Sequence, residues 1–360
     1  MQTIDIQTLT RKNIAQLEPY SSARDEYKGK EGIFLDANEN AFGSVVEVEN
    51  LKLNRYPDPY QTALKERLAE IWGISPNQIF LGNGSDEAID LLIRAFCEPK
   101  QDHILICPPT YGMYQVSAEI QNVALQKVNL TPDFQLDTQT ILQTFTPQTK
   151  LIFLCSPNNP TGNLLALHDI EIVLQNYTHG LVIIDEAYID FCENPTLQQS
   201  LLVKYPNLVL LRTFSKAWGM AALRLGAALA NSEIIQILNK IKPPYNINEL
   251  TQHFALQALQ SEKIARKEMF VKKIKQQKTI LVDSLVKFQF IEYIYPSDAN
   301  FLLVKVKNAQ DLFAYLIKKQ IIVRNRSNVV LCENCLRITI GTAHENAMLL
   351  QVLAQYDGVQ

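Results

Sequence analysis

A lysine, Lys216, follows an apolar run of strand length and the hydroxyl-bearing residue Ser215. This order places the lysine amine at the mouth of a strand, beside a turn, and not on a solvated helix face. An amine held there can form an imine with an aldehyde. A solvent-exposed loop lysine is the competing interpretation, and Lys216 alone does not exclude it.

Basic and turn-forming residues near Lys216 predict an anion site. Arg224 follows eight residues later, and its guanidinium together with Ser215 suits the planar geometry of a phosphate. The segment GNGSDE ends another apolar run, and Ser85 or Asp86 can begin a helix whose free N–H groups bind anions. Taken separately, these features also fit a surface ion pair and an ordinary capped turn.

A carboxylate, Asp185, closes the apolar run GLVIID, where it needs a cationic partner to remain ionised. A protonated pyridine nitrogen is such a partner, and the pair makes the ring an electron sink. Tyr188, and Asn159 in the rigid turn SPNNPTG, can each hydrogen-bond a phenolic oxygen on that ring. Tyr111 offers a flat surface for stacking. The alternatives are a capping aspartate, a plain turn and a core aromatic residue.

The elements that must position these side chains alternate between strand and helix. Strands are predicted over residues 78–81, 104–107, 151–155, 181–185, 208–212 and 225–230, with helices over 86–96, 114–120 and 167–177. This alternation predicts an α/β fold with a mostly parallel sheet flanked by helices. Because ligands bind beyond the carboxyl ends of such strands, we expect the strand endings to converge.

The C-terminal third has a different pattern. A long charged helix is predicted over residues 250–288, followed by the short strands FLLVKV, IIVRN and LRITIG and by helices over 309–319 and 343–356. We therefore predict three parts. Residues 1–30 form an arm that packs on the small domain or a partner subunit, residues 31–245 form the large domain, and residues 246–360 form a smaller α+β domain.

Bulk properties exclude several classes of protein. Thirty-four basic and 37 acidic residues are mixed along the chain and give a net charge of -3, so no nucleic-acid partner is expected. The chain lacks an apolar stretch of spanning length and a signal-peptide pattern, which predicts a cytoplasmic protein with no membrane contact. Cys332 and Cys335 form one C-x-x-C pair, a weak zinc signal, and no metal site is predicted.

The motifs together resemble a known family. They are NRYPDPYQ, CPPTYGMY, CSPNNPTG, DEAYIDF, RTFSKAWGMAALRLG and LRITIG, spread over essentially the whole chain. The sequence resembles the aspartate aminotransferase superfamily of pyridoxal-phosphate enzymes of fold type I. Within it, the sequence is similar to the histidinol-phosphate aminotransferases.

This resemblance implies a cofactor, pyridoxal 5'-phosphate, and roles for the residues around it. Lys216 would bind the cofactor aldehyde and move the substrate proton, and Asp185 would pair with the ring nitrogen. Tyr188 and Asn159 would hold the phenolic oxygen. Other cofactor-binding positions implied by the family are Tyr111, Ser85, Asp86, Ser215 and Arg224, with Tyr56 reaching in from the second subunit of a homodimer.

The resemblance also implies the substrates. L-histidinol phosphate and 2-oxoglutarate would be interconverted with imidazole-acetol phosphate and L-glutamate in histidine biosynthesis. Tyr20, Asn159, Arg324 and Arg337 match the family's substrate-binding positions, and Arg326 competes with Arg324. The rival activities on the same scaffold are an aromatic amino-acid aminotransferase and a decarboxylase of phosphorylated amino acids. A ligand-sensing regulator is a third class, disfavoured by the missing DNA-binding segment.

Overall fold

The computed structural model describes residues 4–19, 44–46, 48–49, 51–196 and 198–356. Within them the chain forms two sheets covered by helices. The larger sheet contains β1 (Ile79–Asn83), β2 (His103–Ile106), β3 (Ala124–Lys127), β4 (Thr149–Cys155), β5 (Leu181–Asp185), β6 (Leu208–Thr213) and β7 (Leu225–Ala230). The smaller sheet contains β8 (Ile291–Ile294), β9 (Phe301–Val306), β10 (Arg324–Asn325) and β11 (Cys335–Thr339).

The larger sheet is mostly parallel. Its strand order is β1-β7-β6-β5-β4-β2-β3, and only β7 runs against the others. The central strand β5 is buried along its whole length, as expected for a parallel strand covered on both faces. The smaller sheet is antiparallel, in the order β10-β11-β9-β8. The predicted fold class, a large mostly parallel sheet and a smaller α+β part, is confirmed.

Helices on both faces bury the apolar sides of the larger sheet. They are α1 (Ile6–Leu9), α2 (Lys12–Ala15), α3 (Thr62–Trp72), α4 (Ser85–Phe96), α5 (Met113–Ile120), α6 (Thr138–Thr144), α7 (Leu167–Asn176), α8 (Ser232–Ile241) and α9 (Glu249–Ala258). Three further helices accompany the smaller sheet or lead to it, namely α10 (Ser261–Leu285), α11 (Ala309–Lys318) and α12 (Ala343–Leu353). None of the helices among the described residues is long and apolar enough to cross a membrane.

The described part of the N-terminal arm contacts the large sheet's own helices. Ile6 is buried in the same core as Phe80 and Ile89. Arg11 forms an ion pair with Glu98 at 3.1 Å, and its backbone N–H donates to the carbonyl of Ala95. Residues 4–19 therefore pack on the large part of the same chain, whereas the sequence suggested the small domain or a partner subunit.

The prediction of a single long helix over residues 250–288 is wrong, because the helix is interrupted between α9 and α10. Gln260 adopts an extended conformation with ψ of 147°. The carbonyl of Leu259 accepts hydrogen bonds from Nε and Nη2 of Arg67 at 3.2 and 3.1 Å, so a guanidinium and not a helical N–H satisfies it. Ala255 packs in the large core and Leu281 in the small one, so the chain passes between cores along α10.

Candidate active site

A cavity of about 600 Å³ lies beyond the carboxyl ends of β1, β4, β5 and β6, and the smaller sheet forms its opposite wall. Most residues singled out from the sequence line it. These are Ser85, Asp86, Tyr111, Asn159, Asp185, Tyr188, Ser215, Lys216, Arg224, Arg324, Arg326 and Arg337. The expected convergence of strand endings is therefore observed, as the topology of a parallel sheet requires.

Lys216 lies in the turn that follows β6. Its carbonyl accepts a hydrogen bond from the N–H of Gly219, which has a φ of 66° that glycine adopts without strain. The amine lies 5.5 Å from the centre of the Tyr188 ring. Partial burial lowers the pKa of Lys216, and the nearby charge of Arg337 lowers it further, against the opposing effect of Asp185. The amine is thus easier to deprotonate than a surface lysine.

Asp185 ends β5 and is only 3% exposed. Its carboxylate accepts hydrogen bonds from the hydroxyl of Tyr114 at 2.7 Å and from the N–H of Ala187 at 3.1 Å. Burial raises the pKa of Asp185 to about 6, although both hydrogen bonds act in the opposite direction. A cation facing this carboxylate would remove most of that penalty.

A cradle for a phosphate forms where β1 and β7 approach each other. Arg224 lies 3.4 Å from the hydroxyl of Ser215 and 3.3 Å from the carboxylate of Asp86. A Cβ atom added at Gly84 would lie 2.7 Å from the Arg224 guanidinium, and one at Gly226 would lie 2.1 Å from the backbone nitrogen that begins α4. Gly84 also has a φ of 73°, which favours glycine, and the backbone contact at Gly226 leaves no room for a side chain. The close approach brings a helix N-terminus, a hydroxyl and a guanidinium together.

The turn SPNNPTG joins the two parts of the chain at the cavity. The carbonyl of Gly162 accepts a hydrogen bond from the N–H of Asp298 at 2.7 Å, and the glycine has a φ of 91°. A Cβ atom at Gly162 would lie 2.5 Å from the hydroxyl of Ser297. Asn159, in the same turn, accepts a hydrogen bond from Nη1 of Arg337. The sequence did not predict this pairing between two proposed ligand-binding residues.

Three arginines approach the cavity from the smaller sheet. Arg324 pairs in register with Arg337 across β10 and β11, which places their side chains on one face. Arg324 is exposed, whereas Arg326 and Arg337 are half-buried. Burial lowers the pKa of both half-buried arginines, and each has another arginine as its next largest influence. Nε of Arg326 is buried and has no hydrogen-bond partner within the described part of the chain.

Two further residues were proposed from the sequence. Tyr20 falls outside the described residues. Tyr56 is 51% exposed and stacks on Tyr245 with ring centres 4.4 Å apart, and it is not among the residues that line the cavity of its own chain.

Sequence reasoning missed Tyr114, the hydrogen-bond donor to Asp185. The available signal was its position in the motif CPPTYGMY, because Tyr114 stands three residues after Tyr111, near the start of the helix that begins at Met113.

Comparisons with known proteins identify the family of the chain. The family described as Aminotransferase class I and II matches residues 30–354. The histidinol-phosphate aminotransferase of Cytophaga hutchinsonii is 52% identical over 351 residues, which cover 98% of this chain and 99% of the relative. That of Bacteroides thetaiotaomicron is 52% identical over 354 residues, with coverage of 98% and 99%.

Solved structures give the same result at greater evolutionary distance. The crystal structure of the histidinol-phosphate aminotransferase from Clostridium acetobutylicum is similar with a TM-score of 0.77 and 26% identity. The match covers 84% of this chain and 90% of that one.

Proposed function

The chain belongs to the class I and II aminotransferases and, within them, to the histidinol-phosphate aminotransferase family, and from this premise we propose its reaction and site. The enzyme transfers an amino group between L-histidinol phosphate and 2-oxoglutarate, giving imidazole-acetol phosphate and L-glutamate, as a step of histidine biosynthesis. The observation that carries the proposal is one cavity lined by the Lys216 amine, the buried Asp185 carboxylate, a phosphate cradle and three arginines.

The donor set suits pyridoxal 5'-phosphate. Lys216 would hold the aldehyde and Asp185 the ring nitrogen, whose positive charge offsets the cost of burying that carboxylate. The cofactor supplies an electron sink for the carbon that loses its proton. The remaining proposed contacts are Tyr111 against the ring face, Asn159 and Tyr188 at the phenolic oxygen, and Ser85, Asp86, Ser215 and Arg224 around the phosphate.

The chain's own residues then divide the chemical work. Lys216, whose pKa is lowered by burial and by Arg337, takes the proton from Cα of the amino-group donor in one half-reaction. In the other half-reaction it delivers a proton to Cα of the product. Asp185 keeps a positive charge on the ring nitrogen opposite to it. Catalysis is thus assigned to Lys216 and Asp185, together with Tyr188, whose ring centre lies 5.5 Å from the Lys216 amine.

The arginines explain how one site accepts two substrates in turn. Histidinol phosphate carries a phosphate, whereas 2-oxoglutarate carries carboxylates, and a guanidinium binds either group with two parallel hydrogen bonds. Arg337, held by Asn159, is placed to orient the anionic end of each substrate. Tyr20 and either Arg324 or Arg326 complete the proposed substrate site.

Half-exposed Tyr56 supports a homodimer in which this side chain enters the partner's cavity. Mixing a Lys216→Ala variant with a Tyr56→Phe variant under conditions of subunit exchange tests it. Sites that combine one intact half from each subunit should restore about a quarter of wild-type activity, since half of the dimers are mixed and each has one complete site. Mixtures no more active than the separate variants would show that Tyr56 acts within its own subunit.

We place the enzyme in the cytoplasm.

Turnover measurements test the reaction itself. Glutamate formation should be much faster with histidinol phosphate than with phenylalanine or phosphothreonine, each in the presence of 2-oxoglutarate. Preference for phenylalanine would identify an aromatic aminotransferase. Release of carbon dioxide from phosphothreonine would identify a decarboxylase and overturn the proposal.

A further inference from the structure

A fully buried tyrosine contacts the carboxylate that is proposed to hold the ring nitrogen. Tyr114 lies in α5 and is 0% exposed. Its hydroxyl donates a hydrogen bond of 2.7 Å to Oδ2 of Asp185. The other carboxylate oxygen accepts from the N–H of Ala187, so the carboxyl group is fixed by two donors from different elements.

The ring of Tyr114 is itself held on both sides. It stacks on Phe153 of β4 with ring centres 4.8 Å apart and an interplanar angle of 19°. Tyr111 contacts it edge-on at 5.6 Å. One rigid side chain therefore supports both Tyr111, proposed to stack on the cofactor ring, and Asp185, proposed to bind its nitrogen.

The charged and titratable groups around Asp185 come from several elements. Asp86 of α4 raises the pKa of this carboxyl, and Lys216 after β6 lowers it. Cys155 of β4 and the neighbouring Glu186 also interact with Asp185. Burial is the largest influence and favours the protonated form, and the Tyr114 hydrogen bond is the strongest of the opposing influences. A single hydroxyl thus contributes most to keeping the carboxyl ionised before a ligand cation arrives.

We propose that Tyr114 is a positioning residue for transamination: its hydroxyl keeps Asp185 ionised and oriented toward the cofactor nitrogen, and its ring supports Tyr111. This inference rests on the proposed function. It goes further by assigning the tuning of the electron sink to a residue that touches neither cofactor nor substrate.

The test compares two changes of the same kind. Tyr114→Phe removes only the hydroxyl. Tyr177→Phe is the matched control, because Tyr177 is also 0% exposed and its hydroxyl donates to the carbonyl of Thr149, away from Asp185. Both variants lose one buried hydroxyl hydrogen bond, so a purely structural role predicts similar behaviour.

In the holoenzyme, release of pyridoxal 5'-phosphate after dilution, followed by its absorbance, should be about ten- to a hundredfold faster in Tyr114→Phe. The pH profile of the visible absorbance should shift in this variant as well. Tyr177→Phe should retain the wild-type release rate and profile. Equal release rates and equal pH profiles in the two variants would overturn the proposal.

Denaturation of the full chain without added cofactor gives a second measurement. Losing the donor should raise the pKa of Asp185 further, so the effect of Tyr114→Phe on the urea midpoint should change between pH 4 and 8. The pH-dependent part should vanish in an Asp185→Asn background. A pH-independent effect would overturn the proposal. Wild-type protein that fails to bind pyridoxal 5'-phosphate would instead contradict the proposed function, and this denaturation experiment would still test the Tyr114 hydrogen bond.

Discussion

The two walls of the cavity are built differently. On the wall formed by the larger sheet, polar groups are already paired within the chain, as in the contacts of Asp185 with Tyr114 and of Arg224 with Ser215 and Asp86. On the wall formed by the smaller sheet, three arginines lie close together, and one of them has a buried nitrogen without a partner in the described residues.

This difference matches two kinds of ligand. Groups held in fixed geometry suit a cofactor that stays bound, because they lose little conformational entropy when it binds. Closely spaced guanidinium groups suit substrates that enter and leave as different anions, because each anion reduces the repulsion between the positive charges. The comparison predicts that changes on the larger-sheet wall alter chemistry and cofactor affinity, whereas changes on the smaller-sheet wall alter substrate affinity.

Loss of the lysine amine should have the largest effect. Lys216→Ala should lower kcat by more than about a thousandfold, because proton transfer at Cα then lacks its carrier. The visible absorbance of the lysine-bound cofactor should also disappear. Rapid-quench measurement of glutamate formation checks the rate. Turnover within tenfold of wild type would show that another group moves the proton.

Replacing Arg337 should have the next largest effect, on the opposite wall. Arg337→Gln should lower kcat/KM by about a hundredfold for both histidinol phosphate and glutamate, because the charge-assisted hydrogen bonds from this half-buried guanidinium to each anion are lost. Steady-state kinetics of both half-reactions measures this. If cofactor affinity also fell by a similar factor, the proposed division between the two walls would be wrong.

Asp185 should make the stability of the cofactor-free chain depend on pH. Its pKa is raised to about 6, so the folded chain retains a proton that the unfolded chain has released, and stability falls as pH rises from about 4 to about 6. Two pKa units correspond to about 3 kcal/mol. Asp185→Asn should not lose stability in this way. Its free energy of unfolding in urea should therefore rise relative to that of wild type as pH increases across that range. A constant difference between the two proteins would contradict the raised pKa.

The smallest expected effect distinguishes the two remaining arginines. Arg326→Gln should lower kcat/KM for histidinol phosphate about tenfold, because this cation is half-buried and its Nε has no partner within the described ranges, so it binds the dianion strongly. Arg324→Gln should lower it about two- to threefold, because this exposed charge is screened. Lys318→Gln, an exposed charge change on α11, serves as the control. A larger loss of kcat/KM in Arg324→Gln than in Arg326→Gln would show that Arg324 is the main contact of the substrate phosphate among these two arginines, as the family resemblance implies.

Local sequence determined the strands of the larger sheet except β3, whose segment is not an apolar run, and the residues at the strand mouths. Asp185 ends one apolar run, and Asn159 and Lys216 stand in the turns that follow two others, so the period of the pattern and the turn residues fix where they lie. The parallel order of the strands then brings them to one edge. That reasoning needs no information about distant contacts.

The tertiary structure decided the partners of these residues. The hydrogen bond from Arg337 to Asn159 joins residues 178 positions apart, and that from Tyr114 to Asp185 joins residues 71 positions apart. At the break before α10, the carbonyl of Leu259 is bound by Arg67, which is 192 positions away along the chain. Spacing along a chain specifies which face of a strand or helix a side chain occupies. Only the packing of one element on another specifies what that face meets.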